Sequence, residues 1–306
     1  MNIRFLETFV WLARLQNFRL TAEQLHTTQA AVSNRIAALE TSFNTRLFNR
    51  NARAATLTPA GLRLLAYAER IVRLDSEMRH EVTDSDDGGG ALIRIGMIET
   101  IVHGWFPDLM SLIREYYPRL ELEVTSDTSI DLAKMLRAGS VDVVLQTDTL
   151  DGAEIENIPL TPLPMRWVAS PSFGLMGKSI GLPQLAELPI ISFSRHSGPH
   201  ASIQKLLSAS GERPPRIHCI SSVAAMIRLV ADGFGVAVLP PAIIQAELAA
   251  NKLHLVDMDA TFPDLPLVAC VRSNSHPLAS RIAELAVHTS QQFAESLSSV
   301  SKQLPA

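Results

Sequence analysis

Thr28-Gln29-Ala30-Ala31-Val32-Ser33-Asn34-Arg35-Ile36-Ala37-Ala38-Leu39 is the stretch on which the reading of this chain turns. Thr28 is of the type that caps a helix, its hydroxyl accepting a backbone N–H that no helical carbonyl reaches. From Gln29 to about Thr41, Val32, Ile36 and Leu39 fall on one stripe, while Ala30, Ser33, Asn34 and Ala37 point the opposite way. Such a helix rests its apolar stripe on a core and offers a small, polar outer face for close approach. Ahead of it, Leu6, Phe9, Val10 and Ala13 recur at helical spacing and predict an amphipathic helix from Ile3 to about Leu15. Thr21 and Gln24 have capping-box spacing, which predicts a second, short helix starting at Ala22.

Downstream, Asn44 is placed to end the helix in a left-handed conformation. Residues 46–53, with arginines at 46, 50 and 53, lead to Thr56-Leu57-Thr58 through a short hairpin, a basic wing. Thr58-Pro59 then reads as a cap followed by a proline at the first helical position, opening a long helix. Positions 64, 68, 71, 75, 78 and 82 of that helix form a heptad-like seam with one polar interruption, Asp75. The seam favours pairing with a second chain over packing of a single helix on its own domain. Residues 84–90 carry acidic residues and three glycines without an apolar anchor, and read as a flexible connector.

Beyond the connector, short apolar runs alternate with helical patterns. Strands are expected at 92–97, 120–125, 141–146, 165–169, 190–193, 217–220, 236–239 and 267–271. Helices are expected at 105–117, 129–138, 183–186, 202–208, 223–231 and 277 to about 293. Alternation of this kind implies parallel sheets and two α/β units, so the fold class is α/β overall.

Composition limits the function. No apolar run reaches the roughly 18 residues that a membrane span needs, and residues 1–9 lack the form of a signal peptide, so a cytoplasmic protein without a membrane partner is expected. Cys219 and Cys270 are far apart and lack metal-ligand spacing, so both read as buried small hydrophobes and no metal or other cofactor is expected. The overall net charge of −4 is unevenly spread: residues 1–60 hold seven arginines against three glutamates, +4, and the remainder is −8. The basic end is the one suited to a polyanion. The chain has no GxSxG, HExxH or GxxxxGK[ST] motif, and Gly233-Phe234-Gly235 lies between a helix and a strand, the reverse of a dinucleotide fingerprint. An enzyme is therefore not expected, and a plain solute-binding protein would not ordinarily carry a basic N-terminal domain.

Gln29-Ala30-Ala31-Val32-Ser33, Arg46-Leu47-Phe48-Asn49-Arg50 and Leu57-Thr58-Pro59-Ala60-Gly61 together resemble the LysR-type transcriptional regulators. The resemblance extends to Ile95-Gly96, to Leu136-Arg137-Ala138-Gly139 before Val141-Asp142, and to residues 230–240, Val-Ala-Asp-Gly-Phe-Gly-Val-Ala-Val-Leu-Pro. It implies a winged helix-turn-helix over 1–58, a dimerising linker helix over 59–84, and a hinge at 85–90. It also implies a two-lobed effector domain of periplasmic-binding-protein type, with lobe I at 91–161 and 267–303 and lobe II inserted at 162–266. Assembly as a homodimer or homotetramer, and contact with RNA polymerase, belong to the same implication. Ala30 stands where the family often has proline, and Asn34 where it often has arginine, so the family's base contacts do not carry over at these two positions.

A recognition helix in the major groove needs small residues near its start and polar groups that reach phosphates and base edges. On this reading Thr28 and Ser33 position phosphates, Ala30 allows close approach, and Gln29 and Asn34 contact bases, an amide pairing with adenine. Asn34 is otherwise a solvated polar residue. Arg50 and Arg53 in the wing contact phosphate or the minor groove. Two joined chains would read an interrupted inverted repeat in a promoter. Effector binding is expected at strand ends: Glu99 and Thr100, Thr128, Ser194 and Arg195, and Ser222. Each hydroxyl is alternatively an ordinary helix cap. Arg195 suggests a carboxylate effector, which Glu99 would oppose unless it points away.

Overall fold

The computed structural model describes residues 2–49, 55–83, 91–208, 216–273 and 275–301. The chain divides into two compact units. The first is Met1–Ile93 with Arg119–Glu121 and Met135–Val141; the second is Arg94–Pro118, Leu122–Lys134 and Asp142–Ala306.

The N-terminal unit begins with α1 (Ile3–Leu15), α2 (Phe18–Gln24), α3 (Gln29–Ser42) and α4 (Pro59–Thr83). Leu6, Phe9 and Leu12 of α1 are fully buried against Ile36 and Leu39 of α3 and Ala68 of α4. Helix α2 starts earlier than the Thr21–Gln24 spacing suggests. Asn17, in extended conformation, caps it by accepting the Arg19 and Leu20 N–H groups, while Thr21 is buried within the helix and donates to the Asn17 carbonyl. His26, at φ 47°, turns the chain into α3, and Asn44, at φ 46°, takes the expected left-handed conformation after it. Glu40 Oε1 then accepts the Leu47 and Phe48 N–H groups at 2.7 and 3.2 Å, drawing the following strand-like segment back onto α3. Phe48 bridges antiparallel to Leu57 and sets its ring edge-on to Phe9. The hairpin turn itself, with Arg50 and Arg53, lies outside the described residues.

Thr58 caps α4 through the Gly61 N–H at 3.1 Å. The upper part of the expected interchain seam is used within the chain: Ala68 is fully buried, and Leu64 and Ile71 are part-buried on the same core. Among the described side chains, the large apolar residues that α4 leaves exposed are Leu62, Tyr67, Leu74 and Met78. The side chain of position 82 is outside the described residues.

Among the described residues the second unit is built mostly on two five-stranded sheets, with a small two-stranded one beside them. In the first lobe, β1 (Leu92–Met97), α5 (Glu99–His103), α6 (Phe106–Tyr116), β2 (Glu121–Ser126), α7 (Ser129–Ala138), β3 (Val143–Gln146) and β4 (Ile155–Leu163) follow in order. The chain then builds the second lobe from β5 (Arg166–Ala169), β6 (Ser179–Ile180), α8 (Leu182–Glu187), β7 (Ile190–Ser192), α9 (Gly198–Ser208), β8 (Ile217–Cys219), α10 (Val223–Ala231), β9 (Val236–Leu239), α11 (Gln245–Ala249), β10 (His254–Leu255) and β11 (Asp257–Met258). It returns to the first lobe with β12 (Leu265–Arg272) and α12 (Pro277–Ser301). The sheet orders are β2-β1-β3-β12-β4 and β10-β5-β9-β7-β8. Both sheets are mixed, which corrects the all-parallel expectation. β1 pairs parallel with β3, but the returning β12 runs antiparallel to β3 and β4, and β5 runs antiparallel to β9.

Two landmarks acquire a physical reason here. Buried Asp142 accepts the Arg94 N–H at 2.9 Å and donates its own N–H to the Arg94 carbonyl, locking β3 beside β1. In the 230–240 segment, Gly233 turns out of α10 at φ 81°, and a Cβ on Gly235 would stand 2.6 Å from the Pro189 carbonyl oxygen. The segment needs both glycines to pass directly from helix to buried strand. Cys270 is fully buried and its thiol is pushed up to about 12 by burial, whereas Cys219 is half-buried, in part a correction to the expectation that both are buried.

A Cβ on Gly61 would lie 2.3 Å from the Leu47 carbonyl oxygen, so Gly61→Ala must push the wing's base away from α4. The expected loss is about 1–3 kcal/mol of local stability, visible as hydrogen exchange in α1 roughly ten- to a hundredfold faster in the full chain. Burial lowers His254, and burial with the charges of Arg195 and His196 lowers His200, both below the ordinary histidine value. The unfolded chain then binds protons that the folded chain does not. Stability should fall as pH drops below about 6.5 toward the folded-state values, and His254→Phe should flatten that slope in urea titrations at stepped pH.

Candidate functional site

Two surfaces carry the residues singled out from the sequence, one in each unit. On α3, the Thr28 hydroxyl accepts the Ala31 N–H at 3.1 Å, and Val32, Ile36 and Leu39 are buried. Thr28, Gln29, Ala30, Ser33, Asn34 and Ala37 are all exposed on the opposite side. The helix is therefore held from behind and capped at its start, while a face of small and amide or hydroxyl side chains stays open. Of the arginines behind the positive charge of this region, Arg14 and Arg19 are engaged by Glu69 and Glu23. Arg35 donates to the Thr8 hydroxyl at 3.2 Å. Exposed Arg46 carries no ion pair among the described residues, and sequence reasoning used it only as part of the wing.

In the second unit, a cavity of about 550 Å³ opens where strand ends of both lobes meet. It brings together Glu99, Thr100, Thr128, Ser194 and Ser222 from the expected set. It does not include Arg195, which is exposed. The hydroxyls serve in part as caps. Thr128 precedes α7, donates to Asp131 Oδ2 at 2.9 Å and lies 3.4 Å from the Asp131 N–H. Ser222 caps α10 by accepting the Ala225 N–H at 3.2 Å. Thr100 is almost fully buried at the wall.

The walls also hold Asp127, Asp131, Lys134, Asp148 and His196, which the sequence reading did not assign to the site. Asp127 and Asp148 directly follow β2 and just follow β3, so the rule of strand ends that selected Thr128 would have found them. The walls carry four carboxylates against one lysine and one histidine, and Lys134 is already bound to Asp131 at 2.7 Å. The cation on which the carboxylate-effector expectation rested, Arg195, is not among the lining residues, and the lining is acidic.

Glu99 has a definite role. Its carboxylate accepts the Val223 and Ala224 N–H groups and the Ser222 hydroxyl, and His103 Nε2 lies 3.5 Å away. Burial raises this carboxyl, but the N–H groups of Ala224 and Val223, then Ser222 and His103, lower it by more, leaving it below the ordinary value. It is an anion at neutral pH. Elsewhere, Ser192 Oγ and the His200 imidazole stand 3.1 Å apart in the second lobe, with the Cys219 sulfur 3.6 Å from the same nitrogen. Among the described residues no cluster of three or more His, Cys, Asp or Glu side chains could hold a metal ion, and no helix is long and apolar enough to cross a membrane.

Residues 3–62 match the family model for the bacterial regulatory helix-turn-helix protein of the lysR family, and residues 86–291 match that for the LysR substrate binding domain. A probable hydrogen peroxide-inducible genes activator of Mycobacterium avium is 28% identical over 292 residues, covering 93% of this chain and 94% of the relative. Full-length OxyR from Pseudomonas aeruginosa, solved as a point variant, has a TM-score of 0.72 at 23% identity, covering 95% of both chains. CbnR solved with its target DNA has a TM-score of 0.69 at 22% identity, covering 96% of this chain and 100% of the other. With the capped helix of the first unit and the two-lobed cavity of the second, these matches establish that the chain belongs to the LysR-type transcriptional regulators, DNA-binding proteins with an effector-binding domain rather than enzymes.

Proposed function

We propose that the exposed face of α3 enters the major groove of duplex DNA, with Thr28 and Ser33 on phosphates, Gln29 and Asn34 on base edges, and Ala30 allowing the helix to sit deep. The observation that carries this reading is the separation of the two sides of α3, an apolar stripe wholly buried and a small polar face wholly open from Gln29 to Asn34. Arg46, Arg50 and Arg53 supply backbone contacts beside it. Residues 1–58, 59–84 and 85–90 act as DNA-binding domain, linker helix and hinge. Lobe I is formed by 91–161 and 267–303, and lobe II by 162–266.

Two chains reading an interrupted inverted repeat in a promoter fit the area that specific recognition needs, since one such domain covers little DNA. The exposed apolar residues Tyr67, Leu74 and Met78 of α4 are suited to join the chains as a homodimer, or a homotetramer as two such pairs. The protein works in the cytoplasm, and RNA polymerase is its partner once the promoter is bound. A small-molecule effector in the cavity between the lobes, with Thr100, Thr128, Ser194 and Ser222 lining it, alters the complex only to the extent that it binds two arrangements of the lobes unequally.

Selection of bound duplexes from a random library by the full-length protein, followed by sequencing, tests the central reading. An inverted repeat is expected, with adenine enriched at one position of each half-site. Asn34→Ala should flatten that position alone, removing about 1–3 kcal/mol of discrimination against other bases. Arg46→Ala should weaken all sequences alike and make the logarithmic salt dependence shallower by about one per chain. No enrichment at any salt concentration would sink the reading of α3. For the cavity, a small molecule that shifts half-saturation of the operator should need at least tenfold more to act on Thr100→Val.

A further inference from the structure

Glu99 opens α5 in the first lobe, yet its carboxylate is held by the first turn of α10 in the second. Oε2 accepts the Val223 N–H at 2.5 Å, and Oε1 accepts the Ala224 N–H at 3.1 Å and the Ser222 hydroxyl at 3.2 Å. The same Ser222 hydroxyl accepts the Ala225 N–H at 3.2 Å. A helix begins with N–H groups that no helical carbonyl reaches, and their partial positive charge makes this turn a natural seat for an anion. At α10 the first three N–H groups are all taken, two by Glu99 and one by Ser222. An anion on this seat could come from a ligand; here it comes from the chain itself, 124 residues away from Val223.

We infer that Glu99 is the cavity's resident carboxylate and determines its specificity, keeping carboxylate effectors off the α10 seat and leaving the cavity to an uncharged or cationic molecule. The inference rests on the reading of this cavity as the effector site. A ligand carboxylate at α10 would have to expel Glu99, which would leave a part-buried charge without the three donors of the α10 start and with only His103 of its own helix beside it. If Glu99 stayed, the newcomer would meet a like charge at contact distance with no N–H group left to bind it. The remaining lining offers a carboxylate little beyond His196: Lys134 is held by Asp131 at 2.7 Å, and Asp127 and Asp148 carry no ion pair among the described residues. These last two also give a cationic nitrogen a place to bind.

The test asks whether emptying the seat converts it into a carboxylate site. Thermal melting of the full-length protein is followed in sodium acetate against sodium chloride at equal ionic strength, for the wild type, Glu99→Ala and Glu99→Gln. Glu99→Ala is expected to melt lower than the wild type, and acetate at tens of millimolar should raise its midpoint saturably by several degrees. The wild type should respond equally to the two salts. Glu99→Gln, whose amide oxygen still fills the seat, should show at most a small part of the acetate effect. Equal acetate responses in the wild type and Glu99→Ala, or none in either, would overturn the inference. If Glu99→Ala does not fold from the cell, its recovery on refolding in acetate against chloride reads the same question, and equal recovery counts against it. Acetate needs no effector to act, so failure here touches Glu99 alone. Failure of a broad small-molecule collection to move wild-type operator binding would strike the effector reading instead.

Discussion

Helix starts govern much of this molecule. The first turn of any helix carries N–H groups that its own carbonyls cannot satisfy, and a folded chain has to supply acceptors for them. Here such acceptors stand at the start of α2 (Asn17), of α3 with its exposed face (Thr28), of the long α4 (Thr58), and around the cavity (Thr128 and Ser222). A cap of this kind contributes about 1 kcal/mol, and it fixes where the helix begins. Where a helix begins decides which residues face outward, so the caps set the geometry of both sites.

In the N-terminal unit that constraint works with a compact apolar core. α3 is a poor amphipath in bulk, with many alanines and polar residues, and three buried side chains hold it down. Its position depends on α1, and on α4, which also lies on α1 through Ala68 and its part-buried neighbours. The approach of Gly61 to the Leu47 carbonyl ties the base of the wing to the start of α4. Surface helix, wing base and linker helix thus share one core, and a shift in any of them moves the polar face of α3. In the second unit the corresponding link is polar: Glu99 joins the two lobes through the N-terminus of α10.

Much of the fold was legible because its signals are local. α7, α10 and β9 lie at the residues that periodicity indicated, and Thr28 and Thr58 cap as their position suggested. β4 was not legible. Pro159 and Pro162 break its alternation, and a strand with two prolines is tolerated because it lies at the sheet edge, a place that only the assembled sheet defines. At α2, Thr21 had the right spacing for a cap, but Asn17 already stood in extended conformation one turn earlier and took the N–H groups. At the cavity, Thr100, Thr128, Ser194 and Ser222, picked from strand ends, line the wall, whereas Arg195, picked by the same rule, is exposed outside it, because sequence order does not say whether a side chain near a strand end faces the cavity or the solvent.

From the sequence alone came most of the longer helices, the caps of α3 and α4, the small polar face of α3, the basic N-terminal end, the alternation of strands and helices, and the family resemblance. All of these are written within a few residues of one another, at the reach of a helical turn or a strand pleat. Only the tertiary structure decided that the Leu64–Ile71 stripe of α4 covers its own domain, that β12 returns antiparallel, that the cavity is acidic, and that the Glu99 carboxylate sits on the first turn of α10. Each of these depends on residues far apart in the chain meeting in space, and such meetings are fixed by the packing of the whole core rather than by any local pattern.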